Sequence, residues 1–153
     1  MHEACGVFGI YAHDEDIAKL TFFALFALQH RGQESAGIAT TDGKSIQVYA
    51  KMGLVSQVFT EDALSKLTGH ISIGHNRYST TGSSRIGNVQ PIIVGQDADT
   101  LAIAHNGNIT NAEALYTEVA DNGYTINTSP ATEGIAKFNL SLPENNALDQ
   151  QKL

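Results

Sequence analysis

Residues 17–29 constrain the fold more than any other part of the chain. They read Ile17-Ala18-Lys19-Leu20-Thr21-Phe22-Phe23-Ala24-Leu25-Phe26-Ala27-Leu28-Gln29. Asp14, Glu15 and Asp16 place negative charge just ahead, where a helix begins. The predicted helix is apolar around most of its circumference, so it is expected between two layers rather than half in water. Gly32 ends it. Residues 7–11 read as a first strand, apolar on both sides and therefore buried. Residues 37–41 and 45–50 read as two strands joined by the turn Asp42-Gly43. A short helix at 61–67 and a strand with a polar end at 70–78 follow. Residues 79–90 form a long loop rich in Gly, Ser and Thr, and 91–94 and 101–105 are further strands. Thr110 is the expected cap of a helix at 111–121, with Glu113 as its capping-box partner. A last helix is expected to start near Ala131. The order β-α-β-β-α-β-loop-β-β-α predicts a layered α/β or α+β protein with mostly antiparallel sheets. It lacks the regular alternation of a doubly wound parallel sheet, and there is no internal repeat.

The chain has 153 residues, which fits one domain with a real core. Its net charge of −7, from 9 basic and 16 acidic groups, opposes a phosphate-binding surface. No Lys/Arg cluster of the kind nucleic acids require is present, so no nucleic-acid partner is expected. The single cysteine excludes an internal disulfide and fits a reducing, cytoplasmic location. No signal peptide is visible, and the longest apolar stretch, residues 20–28, is too short to span a bilayer. No membrane partner is expected. The six histidines show no ligand spacing, so no metal site is expected. From Asn139 onward the composition turns polar and aperiodic, and the stretch reads as a frayed tail.

Four places call for chemistry. Cys5 begins the run Cys5-Gly6-Val7-Phe8-Gly9-Ile10. If the first four residues are removed, its thiol shares a residue with a free α-amine. Such an amine titrates near ~7.7 and a thiol near ~8.5, so nucleophile and base are nearly matched at neutral pH. The bland alternative is a small buried residue at a strand start. Three polar segments follow: Gln29-His30-Arg31-Gly32-Gln33-Glu34-Ser35-Ala36-Gly37, Gly74-His75-Asn76-Arg77-Tyr78-Ser79-Thr80-Thr81-Gly82, and His105-Asn106-Gly107-Asn108. Strand ends carrying Arg, Asn and Gly are common ligand sites. Each has a plainer reading. His30-Arg31 suits a helix C-terminus, Arg77 a surface ion pair, and Asn106-Gly107 a hairpin turn. All three together, behind Cys5-Gly6, fit turns and caps poorly.

These pieces, with Gly53-Leu54-Val55, Val58-Phe59, Gln90-Pro91 and Ile109-Thr110-Asn111, resemble the glutaminase domain of the amidophosphoribosyltransferases, a class II glutamine amidotransferase family. They stand in family order over residues 5 to about 128. The glucosamine-phosphate synthases are similar at the Cys-Gly start and the Asn-Gly turn. They typically carry other residues where this chain has His30-Arg31-Gly32-Gln33 and Arg77-Tyr78. The resemblance implies an α+β fold, the four-layer αββα sandwich of the N-terminal nucleophile hydrolases, here incomplete at the C-terminus. It implies a leader peptide at 1–4, a partial glutaminase domain at 5–138 and a divergent, poorly ordered tail at 139–153, with the phosphoribosyltransferase domain absent.

The implied activity is hydrolysis of glutamine to glutamate and ammonia, for transfer to phosphoribosyl pyrophosphate in purine synthesis. Cys5 is the implied nucleophile, Asn106 and Gly107 the oxyanion donors, and Arg31 a support for the nucleophile region. Arg77, Tyr78, Thr80 and His105 are the implied substrate-binding residues, Arg77 holding the substrate α-carboxylate. Residues 79–90 are the implied lid. No cofactor is expected in this chain, because the family's Mg and phosphoribosyl pyrophosphate site lies in the missing domain. The implied partners are glutamine and a phosphoribosyltransferase domain or chain, with an oligomer left open. One departure stands out. The family has Thr-Ser-Asp-Ser/Thr-Glu, whereas this chain has Thr128-Ser129-Pro130-Ala131-Thr132-Glu133. Ala131 thus replaces the aspartate that holds the substrate α-amine, leaving Asp121 or Glu133 as the substitutes at hand. That favours an alternative, an inactive remnant that binds glutamine or another subunit. A second alternative is the glutaminase domain of a glucosamine-phosphate-synthase-like enzyme.

Overall fold

A computed structural model describes residues 5–78, 88–95, 100–107, 110–123, 125 and 131–141. In chain order its elements are β1 (Gly6–Tyr11), α1 (Ile17–Ala27), a 3₁₀ turn (Gln29–Arg31), β2 (Ser35–Thr41) and β3 (Ile46–Met52). Then come α2 (Val55–Val58), α3 (Glu61–Ser65), β4 (Ile71–Arg77), β5 (Ile92–Val94), β6 (Leu101–Ile103), α4 (Ala112–Asp121) and α5 (Ala131–Ser141). β1-β4-β2-β3 make one antiparallel sheet and β5-β6 a second.

The period-2 alternation of β4 sends its side chains to two different layers. Ser72, Gly74 and Asn76 face α1. The Thr21 hydroxyl pairs with the Ser72 hydroxyl at 2.8 Å, and Asn76 Nδ2 donates to the Leu25 carbonyl at 2.6 Å. Gly74 lets the helix settle, because a Cβ there would stand 2.7 Å from the Thr21 methyl. The main core fills the space on this side, where Ala18, Leu25, Ile38, Val55, Val58, Phe59 and Leu64 are buried. Fully burying a side chain such as Ile38 contributes about 2–3 kcal/mol. The other face meets the second sheet. A Cβ on Gly37 would stand 2.1 Å from the Gln90 carbonyl oxygen, so backbone lies on backbone where the two sheets meet. Away from that contact the sheets part around an apolar cavity of about 170 Å³ lined by Ile46, Ile71, Ile73 and Leu101. α5 packs on β5 and β6, and α4 packs on α5, which completes an α/β/β/α layering.

Several expectations change. The α1 segment is not covered on both sides: Phe23 is 62% exposed, Phe26 55% and Leu20 39%. The first sheet covers one side, and on the other the rings of Phe22, Phe23 and Phe26 shield one another, with centroids 5.3 and 6.2 Å apart. α1 stops at Ala27, because the chain tightens into the 3₁₀ turn, where the Gln29 side chain is drawn toward Val55 and Gly32. β2 begins two residues early, at Ser35, where Met52 and Arg77 both offer partners. The short α2 was not anticipated; four residues are too few to show a helical period. Thr110 does not cap α4. Asn111 occupies the N-cap position, which leaves Glu113 one residue short of where a capping box needs it. α5 runs to Ser141, three residues into the stretch read as tail, and residues 142–153 lie outside the described residues. No helix among the described residues is long and apolar enough to cross a membrane.

Candidate active site

Gly6 pairs with Asn76, so the half-buried Cys5 lies beside the end of β4. Its Sγ is 3.8 Å from the Tyr78 carbonyl oxygen. Two donors from distant segments meet on its own carbonyl. Arg31 Nε, from the 3₁₀ turn, donates at 3.3 Å, and Asn106 Nδ2, from the segment after β6, donates at 2.8 Å. All three polar segments singled out in the sequence therefore converge on Cys5.

Each segment is held from behind. Gln29 accepts the Val55 N–H at 2.6 Å and donates to the Gly32 carbonyl, which fixes the turn that carries Arg31. Among the described residues, the segment after β6 pairs with no strand. Its His105 N–H donates instead to Gln90 Oε1 at 2.7 Å, and Gln90 Nε2 donates to Thr132 Oγ1 at 3.2 Å. The His105 ring lies over Gly107, whose Cβ, if present, would be 3.1 Å from Nε2. Asn106 and Gly107 are exposed, so the Asn106 amide reaches Cys5 from the solvent side.

Arg77 leaves the same end of β4. Its Nη1 donates to the Asn88 carbonyl at 2.7 Å, and its Nε lies 3.5 Å from Glu34 Oε2. The carboxylate oxygens of Glu34 are buried and make no hydrogen bond, so Arg77 supplies the opposite charge they require. His75, two residues back, is fully buried between the sheets, and neither ring nitrogen makes a hydrogen bond. Burial pushes its pKa down to about 4; the neighbouring His105 backbone pulls the other way, while the charges of Arg77 and His105 add to the depression. The ring is thus neutral at neutral pH.

The described residues gather Cys5, Arg31, Tyr78, Asn106 and His105 at one end of the first sheet, with Gly107 against His105 and Arg77 alongside. Thr80, the lid stretch 79–87 and the leader 1–4 lie outside the described residues. Of the two acids proposed to replace the missing aspartate, Asp121 is exposed at the end of α4. Glu133 is buried and paired with Lys137 Nζ at 2.6 Å. Sequence reasoning gave no role to Glu34 or Thr132, and placed Gln90 only at the end of the implied lid and in the Gln90-Pro91 match. Glu34 sits inside a segment already singled out, and a lone acid next to basic residues was the available signal. Thr132 carries none, and the Gln90-Pro91 match does not say what the amide holds, since both contacts depend on which elements meet.

This layered α+β fold is of the N-terminal nucleophile hydrolase type. It superposes on the glutamine phosphoribosylpyrophosphate amidotransferase of B. subtilis complexed with ADP and GMP, with a TM-score of 0.75 and 42% identity over 86% of this chain and 28% of that one. A structure described as the allosteric regulatory enzyme of purine biosynthesis matches with a TM-score of 0.77 and 44% identity, over 85% of this chain and 28% of that one. Among sequences, the amidophosphoribosyltransferase of Synechocystis sp. is 55% identical over 79% of this chain and 24% of its own length. That of Mycobacterium tuberculosis is 52% identical over 84% and 25%. No family model matches. The chain belongs to the amidophosphoribosyltransferase family, and it spans about a quarter of the length of the curated relatives it matches.

Proposed function

We propose that this chain is the glutaminase portion of an amidophosphoribosyltransferase. The observation that carries the reading is the convergence of Arg31 and Asn106, far apart in sequence, on the backbone of Cys5. In the proposed reaction residues 1–4 are first removed, freeing the Cys5 α-amine. The amine takes the thiol proton, and Sγ attacks the side-chain amide carbon of glutamine. The amide oxygen becomes an oxyanion held by the Asn106 amide and the Gly107 N–H, each worth roughly 3–4 kcal/mol of barrier. The amine then passes the proton to nitrogen, ammonia leaves, and a thioester remains. Water attacks the thioester, releasing glutamate and restoring the thiol. Arg31 holds the Cys5 carbonyl throughout. Arg77 meets the substrate carboxylate with the donors that Glu34 and Asn88 leave available.

The ammonia acceptor is proposed to be phosphoribosyl pyrophosphate, bound with Mg by the part of the family outside this chain, in purine synthesis. Among the described residues, no group of three or more His, Cys, Asp or Glu is placed to hold a metal ion. Ala131 favours a second reading, a module that binds glutamine without turning it over. An ammonium left without its carboxylate costs ~2–5 kcal/mol of binding.

Intact mass of the protein, before and after exposure to an electrophilic glutamine analogue, tests both. Loss of Met1 to Ala4 with one adduct on Cys5, and ammonia release that Cys5→Ala abolishes, is the expected result. Glutamine binding with neither adduct nor ammonia favours the second reading. Unprocessed protein that binds no glutamine contradicts both.

A further inference from the structure

We propose that Gln90 is a positioning residue: its side-chain amide sets the Asn106–Gly107 segment against Cys5 and is itself oriented by Thr132 on α5. The inference rests on the glutaminase reading above. Gln90 is 6% exposed and Thr132 1%, so their groups need protein partners. A backbone N–H can only donate. The end of the Gln90 amide that faces His105 N–H is therefore the oxygen, accepting at 2.7 Å. The NH₂ end is then turned toward α5, and the Thr132 hydroxyl accepts from it at 3.2 Å. One orientation of the amide satisfies both contacts, whereas the flipped one sets NH₂ against the His105 N–H and keeps only the Thr132 contact, with the hydroxyl donating.

The segment after β6 needs this tether. β6 ends at Ile103, and His105 has no strand partner for its N–H. The next residue, Asn106, donates to the Cys5 carbonyl at 2.8 Å. Two tethers on consecutive residues, one on backbone and one on side chain, fix the rotation of the segment. The far end of the first is fixed as well, because the Gln90 carbonyl lies against Gly37 where the sheets meet. A continuous line therefore runs from α5 through Gln90 and His105 to Asn106 and Cys5. Oxyanion donors act only when held in place beforehand, and misplacement of about 1 Å can cost about a hundredfold in rate. Gln90 touches no reacting atom, so its effect is on rate through placement.

The test uses Gln90→Met, Gln90→Glu and Thr132→Val in the full chain. Glutamine hydrolysis, Cys5 modification by iodoacetamide and amide hydrogen exchange at His105 are measured for each. Gln90→Met is expected to lower kcat about a hundredfold with KM changed less than about threefold. Iodoacetamide uses no oxyanion donor, so its rate should move less than about twofold. Gln90→Glu keeps an acceptor for His105 N–H and should recover about tenfold of the loss, with Thr132→Val between the two. His105 exchange should rise at least about tenfold in Gln90→Met. The proposal is overturned if Gln90→Met keeps kcat within about threefold. It is also overturned if kcat, KM and the iodoacetamide rate fall together, which marks general loss of structure. If Gln90→Met does not fold, Thr132→Val decides by the same readings. Should the unaltered protein hydrolyse no glutamine, His105 exchange separates the two ideas. Protection lost in Gln90→Met would sink the glutaminase reading alone, whereas an unprotected His105 in the unaltered protein would sink the tether.

Discussion

Acidification should destabilise this protein through a single histidine. His75 is fully buried between the sheets, with Arg77 and His105 as its charged neighbours. Its pKa is lowered from 6.5 to about 4, mainly by burial. Between those values the unfolded chain holds a proton that the folded one does not. Stability from this group is therefore complete above about pH 6.5, falls as pH drops, and levels off below about pH 4. The whole gap corresponds to about 3 kcal/mol, and about 2 kcal/mol should be lost by about pH 5. Other groups titrate over the same range, and a comparison removes their share. Urea unfolding from about pH 7.5 to about pH 4.5, run on the unaltered protein and on His75→Gln, isolates the difference in slope. Glutamine carries no proton-linked term, so the variant should lose about 2 kcal/mol less across that range, or roughly 1 M in midpoint. Parallel pH profiles would refute the argument, since they would mean that His75 takes up a proton without unfolding.

Three further outcomes follow from the packing. Gly37→Ala puts a methyl into the Gln90 carbonyl, so it should lower stability by about 1–3 kcal/mol in thermal melts and slow Cys5 labelling by the glutamine analogue. Thr21→Val removes the partner of the buried Ser72 hydroxyl and should cost about 1–3 kcal/mol; a loss under about 0.3 kcal/mol in denaturant titration would contradict the contact. Arg31→Gln keeps an uncharged donor near the Cys5 carbonyl but loses the guanidinium, so ammonia release should fall about tenfold with melting temperature nearly unchanged.

Most elements were legible because they carry a period or a turn. Asp42-Gly43 marked its hairpin, and the Asp42 carboxylate indeed accepts from Lys44 N and Ser45 N. Asp16, at the end of an acidic triplet, caps α1 by accepting from Lys19 N. The packing of α1 was not legible in this way. An all-round apolar helix predicts cover on every side, but it cannot distinguish cover by a second layer from aromatic rings leaning on one another at an open face. Cys5, Arg31 and Asn106 were singled out as residue types in the right kind of place. Their meeting on one carbonyl is a property of how the turn and the β6 exit are aimed. The tether from Gln90 to His105 and Thr132 was silent for the same reason, since a buried amide reads like any other glutamine until its neighbours are known.

β4 explains why the site stands where it does. Its even-numbered residues, Ser72, Gly74 and Asn76, are small or amide-bearing and fasten α1 to the sheet. Its odd-numbered residues point between the sheets, apolar at Ile71 and Ile73 and polar at His75 and Arg77. The polarity change runs along one strand. The apolar half lines the apolar cavity at one end, and the polar half faces Glu34, Asn88 and the approach to Cys5 at the other. A slip of one residue in the β4 register would turn His75 and Arg77 toward the apolar core and strip Arg77 of Glu34 and Asn88, an error costing on the order of several kcal/mol. The helix-side contacts of Ser72 and Asn76 oppose that slip. The same bonds that build the core therefore also hold Arg77 and the Tyr78 carbonyl at the cysteine end of the sheet.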